Sequence, residues 1–366
     1  MNSVSLMHCA DMHIGKIISA FDKNKNNIRM CESEQACLSV IDNASDCDIV
    51  LLSGDIFDSP DVSESLCKTF IDKIKSMHNV NFFYSCGNHD PYISKITDYI
   101  VCNCPDNLHV FGYEDIECVV LENIKTKVYG ISFAGRYARN ALILDISLCD
   151  PEYINIMCIH GDVSKNSLYN PMDMKALEKM GFDYVALGHI HNFDGIKTIN
   201  KMAYAYPGCV EPSGFDECGR KGFIKGNIKK GKADLEFITA CQRGYHSVSV
   251  DVSNSYDYVS AISEIRKRVN IASDLWRVTL YGENNIDSFI NLELIKNNID
   301  AFYIELIDET KMPYDIIEES KKFSLLGLCA KEILDRIENE SDDEKTKEYE
   351  DAFSILYGLL DKGENI

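Results

Sequence analysis

The chain has 366 residues, of which 45% are hydrophobic and 26% charged, and a formal net charge of −21. That length suits a core domain with smaller appendages, and the composition excludes collagen-like, mucin-like and broadly disordered classes. No apolar run approaches the roughly 18 residues of a membrane span and Met1 to Asp11 lacks a signal-peptide layout, so a cytoplasmic protein is expected, while the acidic balance argues against unaided nucleic-acid binding.

Taken in chain order, short apolar runs alternate with amphipathic stretches: Val4 to Cys9, Arg29 to Ala44, Asp48 to Leu52, Glu64 to Met77 and Val80 to Ser85. This predicts strand, helix, strand, helix, strand, with ligand-binding loops at the strand ends. Cys118 to Phe133 is strand-rich around a turn at Asn123-Ile124-Lys125, and strands are expected again at Ile154 to Ile159 and Tyr184 to Leu187. Gly222 to Ile228 and Ala233 to Ile238 form a predicted hairpin through Lys229-Lys230-Gly231-Lys232. Beyond Gly244, His246 to Val252, Val259 to Val269, Trp276 to Tyr281, Phe289 to Asn298 and Phe302 to Ile307 spell β-α-β-α-β. Two helices, Tyr314 to Ile337 and Glu344 to Leu360, follow across an acidic stretch. The expected division is 1–243, 244–312 and 313–366. Fifteen scattered cysteines look like small buried hydrophobes, and the lone Cys102-x-Cys104 lacks the second pair of a zinc site.

Chemistry gathers at the strand ends. Asp11 and His13 follow the first strand, Asp55 the second, Asn88 and His89 the third, His160 the strand from Ile154, and His189 and His191 the strand from Tyr184. Any one of these is unremarkable as a cap, a turn or a structural histidine, but the ordered set presents oxygen and imidazole groups at one sheet edge. Such donors suit Mn²⁺, Fe²⁺ or Zn²⁺ better than an all-oxygen cage. They outnumber the ligands of one tetrahedral zinc and fit two ions sharing a carboxylate.

Asp-x-His, Gly54-Asp55-x-x-Asp58, Gly87-Asn88-His89-Asp90, His160-Gly161 and Gly188-His189-x-His191, in this order, resemble the calcineurin-like metallophosphoesterase superfamily. Ala10 to Gly15, Ser53 to Asp58, Tyr206-Pro207-Gly208 and Gly214 to Glu217 look more narrowly like SbcD-type DNA repair exonucleases, including the YhaO-like branch. The resemblance implies an α/β double-sheet sandwich flanked by helices (1–243), a small β-α-β-α-β capping domain (244–312) and C-terminal helices (313–366). It also implies one ion on Asp11, His13 and His191, a second on Asn88, His160 and His189, and Asp55 bridging them. The ions would be Mn²⁺ first, with Fe²⁺, Zn²⁺ or Mg²⁺ as alternatives. His89 would protonate the leaving oxygen, oriented by Asp58, where archaeal and eukaryotic repair nucleases typically carry histidine. Asp90 reads as a structural acceptor.

The implied activity is that of a DNA exonuclease or endonuclease, a homodimer working with an SbcC-type or YhaN-like SMC-family ATPase docked on the C-terminal helices. A phosphodiesterase or phosphatase acting on small molecules or phosphoproteins, and an inactive interaction subunit, are the alternatives. Arg136, Arg139, Arg220, Lys221 and Arg266-Lys267-Arg268 could meet phosphates, though each alone reads as solvated surface.

Overall fold

The structure, a computed structural model, describes residues 2–143, 149–164, 166–286 and 289–361. Residues 362–366 of the expected C-terminal segment lie outside the described residues. The chain divides into two compact units, Met1–Gly244 and Tyr245–Ile366.

The first unit opens with β1 (Ser3–Cys9), α1 (Lys23–Val40), β2 (Ile49–Leu52), α2 (Glu64–Ser76), β3 (Asn81–Tyr84), α3 (Lys95–Cys102) and β4 (Leu108–Val110). It continues through β5 (Glu117–Leu121), β6 (Thr126–Ile131), β7 (Ile154–His160), α4 (Met174–Met180), β8 (Tyr184–Gly188), β9 (Lys197–Ile199), β10 (Met202–Ala205), β11 (Gly222–Lys229) and β12 (Lys232–Thr239). The strands make two six-stranded mixed sheets, ordered β12-β11-β1-β2-β3-β4 and β5-β6-β7-β8-β10-β9. Within each, four strands run parallel, β1 to β4 in one and β6, β7, β8 and β10 in the other. The parallel strands therefore deliver their C-terminal loops to one edge, where ligand-bearing loops gather in open α/β sheets.

Alternation along the strands sorts side chains into layers. Val4, Leu6, Ile49, Leu51 and Phe83 of the first sheet meet Val128, Ile156, Cys158, Tyr184 and Ala186 of the second. The opposite faces bury Met7, Cys9, Val50 and Leu52 with Cys37, Phe70 and Ile74 of the helices, and Met157, Ile159 and Val185 with Leu177. Helix, sheet, sheet, helix is the double-sheet sandwich expected from the sequence. Most of the cysteines are buried and all are free.

Element ends differ from the sequence reading where polar capping overrides hydrophobic pattern. The helix expected from Arg29 begins at Lys23, because the Asp22 carboxylate accepts from the amides of Asn24 and Lys25 and starts two polar turns. The elements α3, β4, α4, β9 and β10, of three to eight residues, are too short to show a period.

The second unit has β13 (Tyr245–Asp251), α5 (Tyr258–Arg268), β14 (Leu275–Glu283), α6 (Leu292–Lys296) and β15 (Tyr303–Lys311). Its three strands form one parallel sheet, β13-β14-β15, packed through Val250, Val278, Leu280 and Ile304 onto Ala261, Ile265 and Ile295. The single helix expected from Tyr314 to Ile337 is two, α7 (Ile316–Ser320) and α8 (Leu325–Glu338). Ser324 caps α8 by accepting from the Gly327 amide, which ends the continuity. Helix α9 (Asp343–Asp361) packs Phe353 against Ala330 and Ile333. No described helix is long and apolar enough to cross a membrane.

One polar side chain joins the two sheets. His8 lies fully buried between them; Tyr184 donates its hydroxyl to Nδ1 at 2.8 Å, and the Nε2 hydrogen reaches the Leu187 carbonyl at 3.1 Å. Burial lowers its pKa from 6.5 to about 3, the Leu187 bond opposing this only in part. Between those values the unfolded chain takes up a proton that the folded chain refuses, so the contribution of neutral His8 is complete above 6.5 and declines as pH falls towards 3. Urea titrations should give a stability-versus-pH slope in this window steeper than that of His8→Gln by about one proton, ~1.4 kcal/mol per pH unit. Equal slopes would show that His8 is not held neutral.

Candidate metal centre

The Asp-x-His loop after β1 and the Gly-Asp loop after β2 run side by side. The amides of Asp11, His13 and Ile14 donate to the carbonyls of Gly54, Asp55 and Ile56 at 2.8–3.0 Å. The Gly-Asn-His-Asp loop after β3 is tied to them by Asp90. Its fully buried carboxylate accepts from the amides of Asp55, Ile56, Phe57 and Gly87 at 2.6–3.1 Å, and from the Tyr84 hydroxyl. Four expected ligands, Asp11, His13, Asp55 and His189, have positive φ, between 46° and 109°. Such backbone costs of order 1–3 kcal/mol per residue and clusters at functional sites. Gly188 is required by close approach: a Cβ there would lie 1.9 Å from the Ser53 carbonyl oxygen.

Two of the convergent donor sets share Asp11. Atoms of Asp11, His13 and His191 lie within 4.8 Å of one another, as do atoms of Asp11, Asp55 and His160. Asn88 Oδ1 is 3.0 Å from His160 Nε2, and Asp55 Oδ2 is 3.5 Å from it. The His189 ring packs edge-on against His160 with centroids 5.3 Å apart, but it joins neither of these two sets. The carboxylate common to both sets is Asp11, where sequence reasoning assigns the bridge to Asp55.

Hydrogen bonds at the far side of each ring fix which nitrogen points inward. His160 donates Nδ1–H to the Ser53 carbonyl at 2.9 Å, leaving the Nε2 lone pair towards Asn88 and Asp55. His13 donates Nδ1–H to Asp58 Oδ1 at 3.1 Å, and His191 donates Nδ1–H to Glu217. The two remaining Nε2 lone pairs face each other at 3.2 Å. Lone pairs this close are stabilised only by a shared proton or a cation, and the Asp11 oxygens beside them attract either positive charge. The imidazole, carboxylate and amide set fits first-row divalent ions.

The electrostatics agree. Burial raises the Asp11 carboxyl, the imidazoles opposing only in part. Asp55, equally buried, is held low because His160, His13 and His89 outweigh that penalty. Burial, then the neighbouring His160, lowers His189 to about 4 and keeps it neutral, as a ligand must be.

His89 meets His13 and Asp58 in a third convergent set. Its Nδ1–H donates to the Asp58 main-chain carbonyl at 2.8 Å and its amide to Asp55 Oδ1 at 2.8 Å. The expected orientation of His89 by the Asp58 carboxylate is thus replaced: that carboxylate holds His13, while the peptide oxygen of the same residue holds His89. His89 and Asn88 line a cavity of about 360 Å³ with Asp58, Ser59, Pro60, Pro91 and Arg136.

Sequence reasoning assigns no role to Glu217, though its motif is noticed. Burial alone would raise this carboxyl, but the bond to His191 and the Ser213 amide bring it down to about 2. The pair is 26 positions apart, with β9 and β10 between them, and each residue sits in an irregular loop, so no periodicity announces it. Asn170 is the other omission; buried, with φ 49°, it donates to the His160 carbonyl at 2.8 Å and accepts from the Leu142 amide.

Among the basic groups, Lys221 is buried and its ammonium donates to the His191 carbonyl and to Asn192. Arg266 donates to the Asn298 carbonyl, and Lys267 pairs with Glu264. These are structural uses.

Residues 4–193 match the calcineurin-like phosphoesterase family. The chain is 25% identical over 269 residues to the uncharacterized metallophosphoesterase YhaO of Bacillus subtilis strain 168, covering 70% of this chain and 65% of that relative, just under two thirds of its length. It is 22% identical over 330 residues to the DNA double-strand break repair protein Mre11 of Saccharolobus solfataricus, covering 85% of this chain and 84% of the relative. With the Mre11 of Thermoplasma acidophilum it shares 21% identity over 346 residues and 84% of each chain. The family match spans more than half of the sequence and includes every expected ligand, so the chain belongs to the calcineurin-like phosphoesterases, hydrolases of phosphoesters that use divalent metal ions.

Proposed function

We propose that the chain is a metal-dependent DNA nuclease, hydrolysing phosphodiester bonds as the catalytic subunit of a DNA repair complex. The observation that carries the reading is the pair of inward-facing histidine lone pairs at 3.2 Å beside two buried carboxylates, next to a histidine whose far nitrogen is spoken for by a peptide oxygen. Asp11, His13 and His191 would hold one ion and Asn88, His160 and His189 the other, with Asp55 or Asp11 between them. When bound, the ions supply Lewis-acid charge at the phosphate and lower the pKa of the attacking water. His89, with Nδ1 fixed on Asp58, keeps Nε2 for the proton that the leaving oxygen requires. Mn²⁺ is the first expectation.

DNA as substrate is supported by the two Mre11 relatives, whose matches cover 85% and 84% of this chain and so reach beyond the first unit into the second. A phosphodiesterase or phosphatase for small esters is the second reading, favoured by the net charge of −21. We also propose a homodimer and an SMC-family ATPase partner, of SbcC or YhaN type, on the C-terminal helices, which leave Phe323, Leu325, Leu328 and Leu359 exposed. The division 1–243, 244–312 and 313–366 remains the proposed functional layout.

Purified protein with Mn²⁺ should cleave labelled DNA in preference to a cyclic nucleotide or a phosphomonoester; the reverse preference would move the assignment to the second reading. His89→Ala should lower kcat by about 10²–10⁴-fold while two metals per chain remain by elemental analysis, and loss of metal would make His89 a ligand. Glu217→Gln should weaken metal binding about 10–100-fold; unchanged affinity by calorimetric titration would remove its orienting role. Deleting residues 313–366 should abolish ATPase capture in a pull-down, and retained capture would place the docking surface elsewhere.

A further inference from the structure

The segment 135–139, Gly-Arg-Tyr-Ala-Arg, follows β6 and its adjoining loop and is not used by the metal centre itself. It is fixed beside that centre by backbone pairing. Ala138 bridges Tyr169, the Ala138 amide donates to the Leu168 carbonyl at 3.1 Å, and the Asn170 amide donates to the Ala138 carbonyl at 2.6 Å. Asn170 in turn donates its side-chain amide to the His160 carbonyl.

This anchoring builds a ladder of rings from the surface to the metal site. Tyr137, 52% exposed, lies over Tyr169 with centroids 5.7 Å apart and planes at 36°. Tyr169 lies over His189 at 4.6 Å and 36°. The outermost ring thus presents a free face at the rim, held in place from below. Arg136, next to Tyr137 in the chain, lies in the wall of the cavity that contains His89, and Arg139 lies two residues beyond Tyr137. Both guanidinium groups are without an ion pair or hydrogen bond among the described residues, in a chain with 58 acidic residues against 37 basic ones. Ile190, exposed between His189 and His191, adds apolar surface to the same rim.

An exposed aromatic ring next to an unpartnered cation is the combination that captures unpaired nucleotides: the base stacks on the ring and the phosphate meets the arginine. A base held within a duplex has no free face for this. We infer that segment 135–139 is a single-strand clamp, with Tyr137 stacking on an unpaired nucleobase and Arg136 contacting a backbone phosphate next to the scissile one, so that the enzyme acts on single-stranded or frayed ends. The inference rests on the nuclease reading and names its substrate form.

The test uses the full-length Mn²⁺-loaded protein and two labelled oligonucleotides of one length, one with ordinary bases and one with abasic tetrahydrofuran residues around the cleavage site. Tyr137→Ala should lower kcat/KM on the base-bearing strand by about 5–150-fold, the range that one base–aromatic stack carries, and match wild type on the abasic strand. Tyr137→Trp should restore the loss. Arg136→Gln should weaken both strands alike, because it reads phosphate. Equal kcat/KM for wild type and Tyr137→Ala on the base-bearing strand overturns the clamp and leaves the nuclease reading intact. A parallel loss on the abasic strand also overturns it, making Tyr137 a prop for the metal site. If wild type cleaves neither strand yet hydrolyses phosphomonoesters, both readings fail together.

Discussion

One buried carboxylate holds the catalytic edge together. Asp90 gathers four main-chain amides from two loops, and a tyrosine hydroxyl, onto two oxygen atoms. Without it, those donors would be buried and unpaired, at a cost of about 1–3 kcal/mol each. Asp55, Asn88 and His89 take their positions from these loops, and the Asp-x-His loop takes its position from the Gly-Asp loop. The geometry of the centre is therefore set by backbone hydrogen bonding before any side chain meets an ion.

The two sheets supply what the loops cannot, a rigid and common edge. Parallel strands from both sheets end there, and His8 with Tyr184 pins the sheets across the apolar layer. Left-handed backbone at Asp11, His13, Asp55 and His189 is tolerated because it is anchored on strands whose C-terminal ends are buried. Strain of this kind is stored where function requires it and compensated by the core.

Much of this was legible in the sequence, for physical reasons. Every ligand candidate follows a run of mostly buried apolar residues, so periodicity alone carried Asp11, Asp55, Asn88 and His160 to one edge. What periodicity cannot carry is the pairing of groups in irregular loops. Glu217 on His191, Asn170 behind His160 and the swap that puts the Asp58 carboxylate on His13 all depend on how loops fold back, which has no repeating signature. Helix ends failed for a related reason: Asp22 and Ser324 act through capping hydrogen bonds that a hydrophobic pattern does not record.

Asp58 touches the centre twice, through its carboxylate on His13 and its peptide oxygen on His89. The two contacts are only a few covalent bonds apart in one residue, so they behave as an interlock. A shift of His13 is therefore felt at His89 through the backbone of Asp58, and the two histidines share one support.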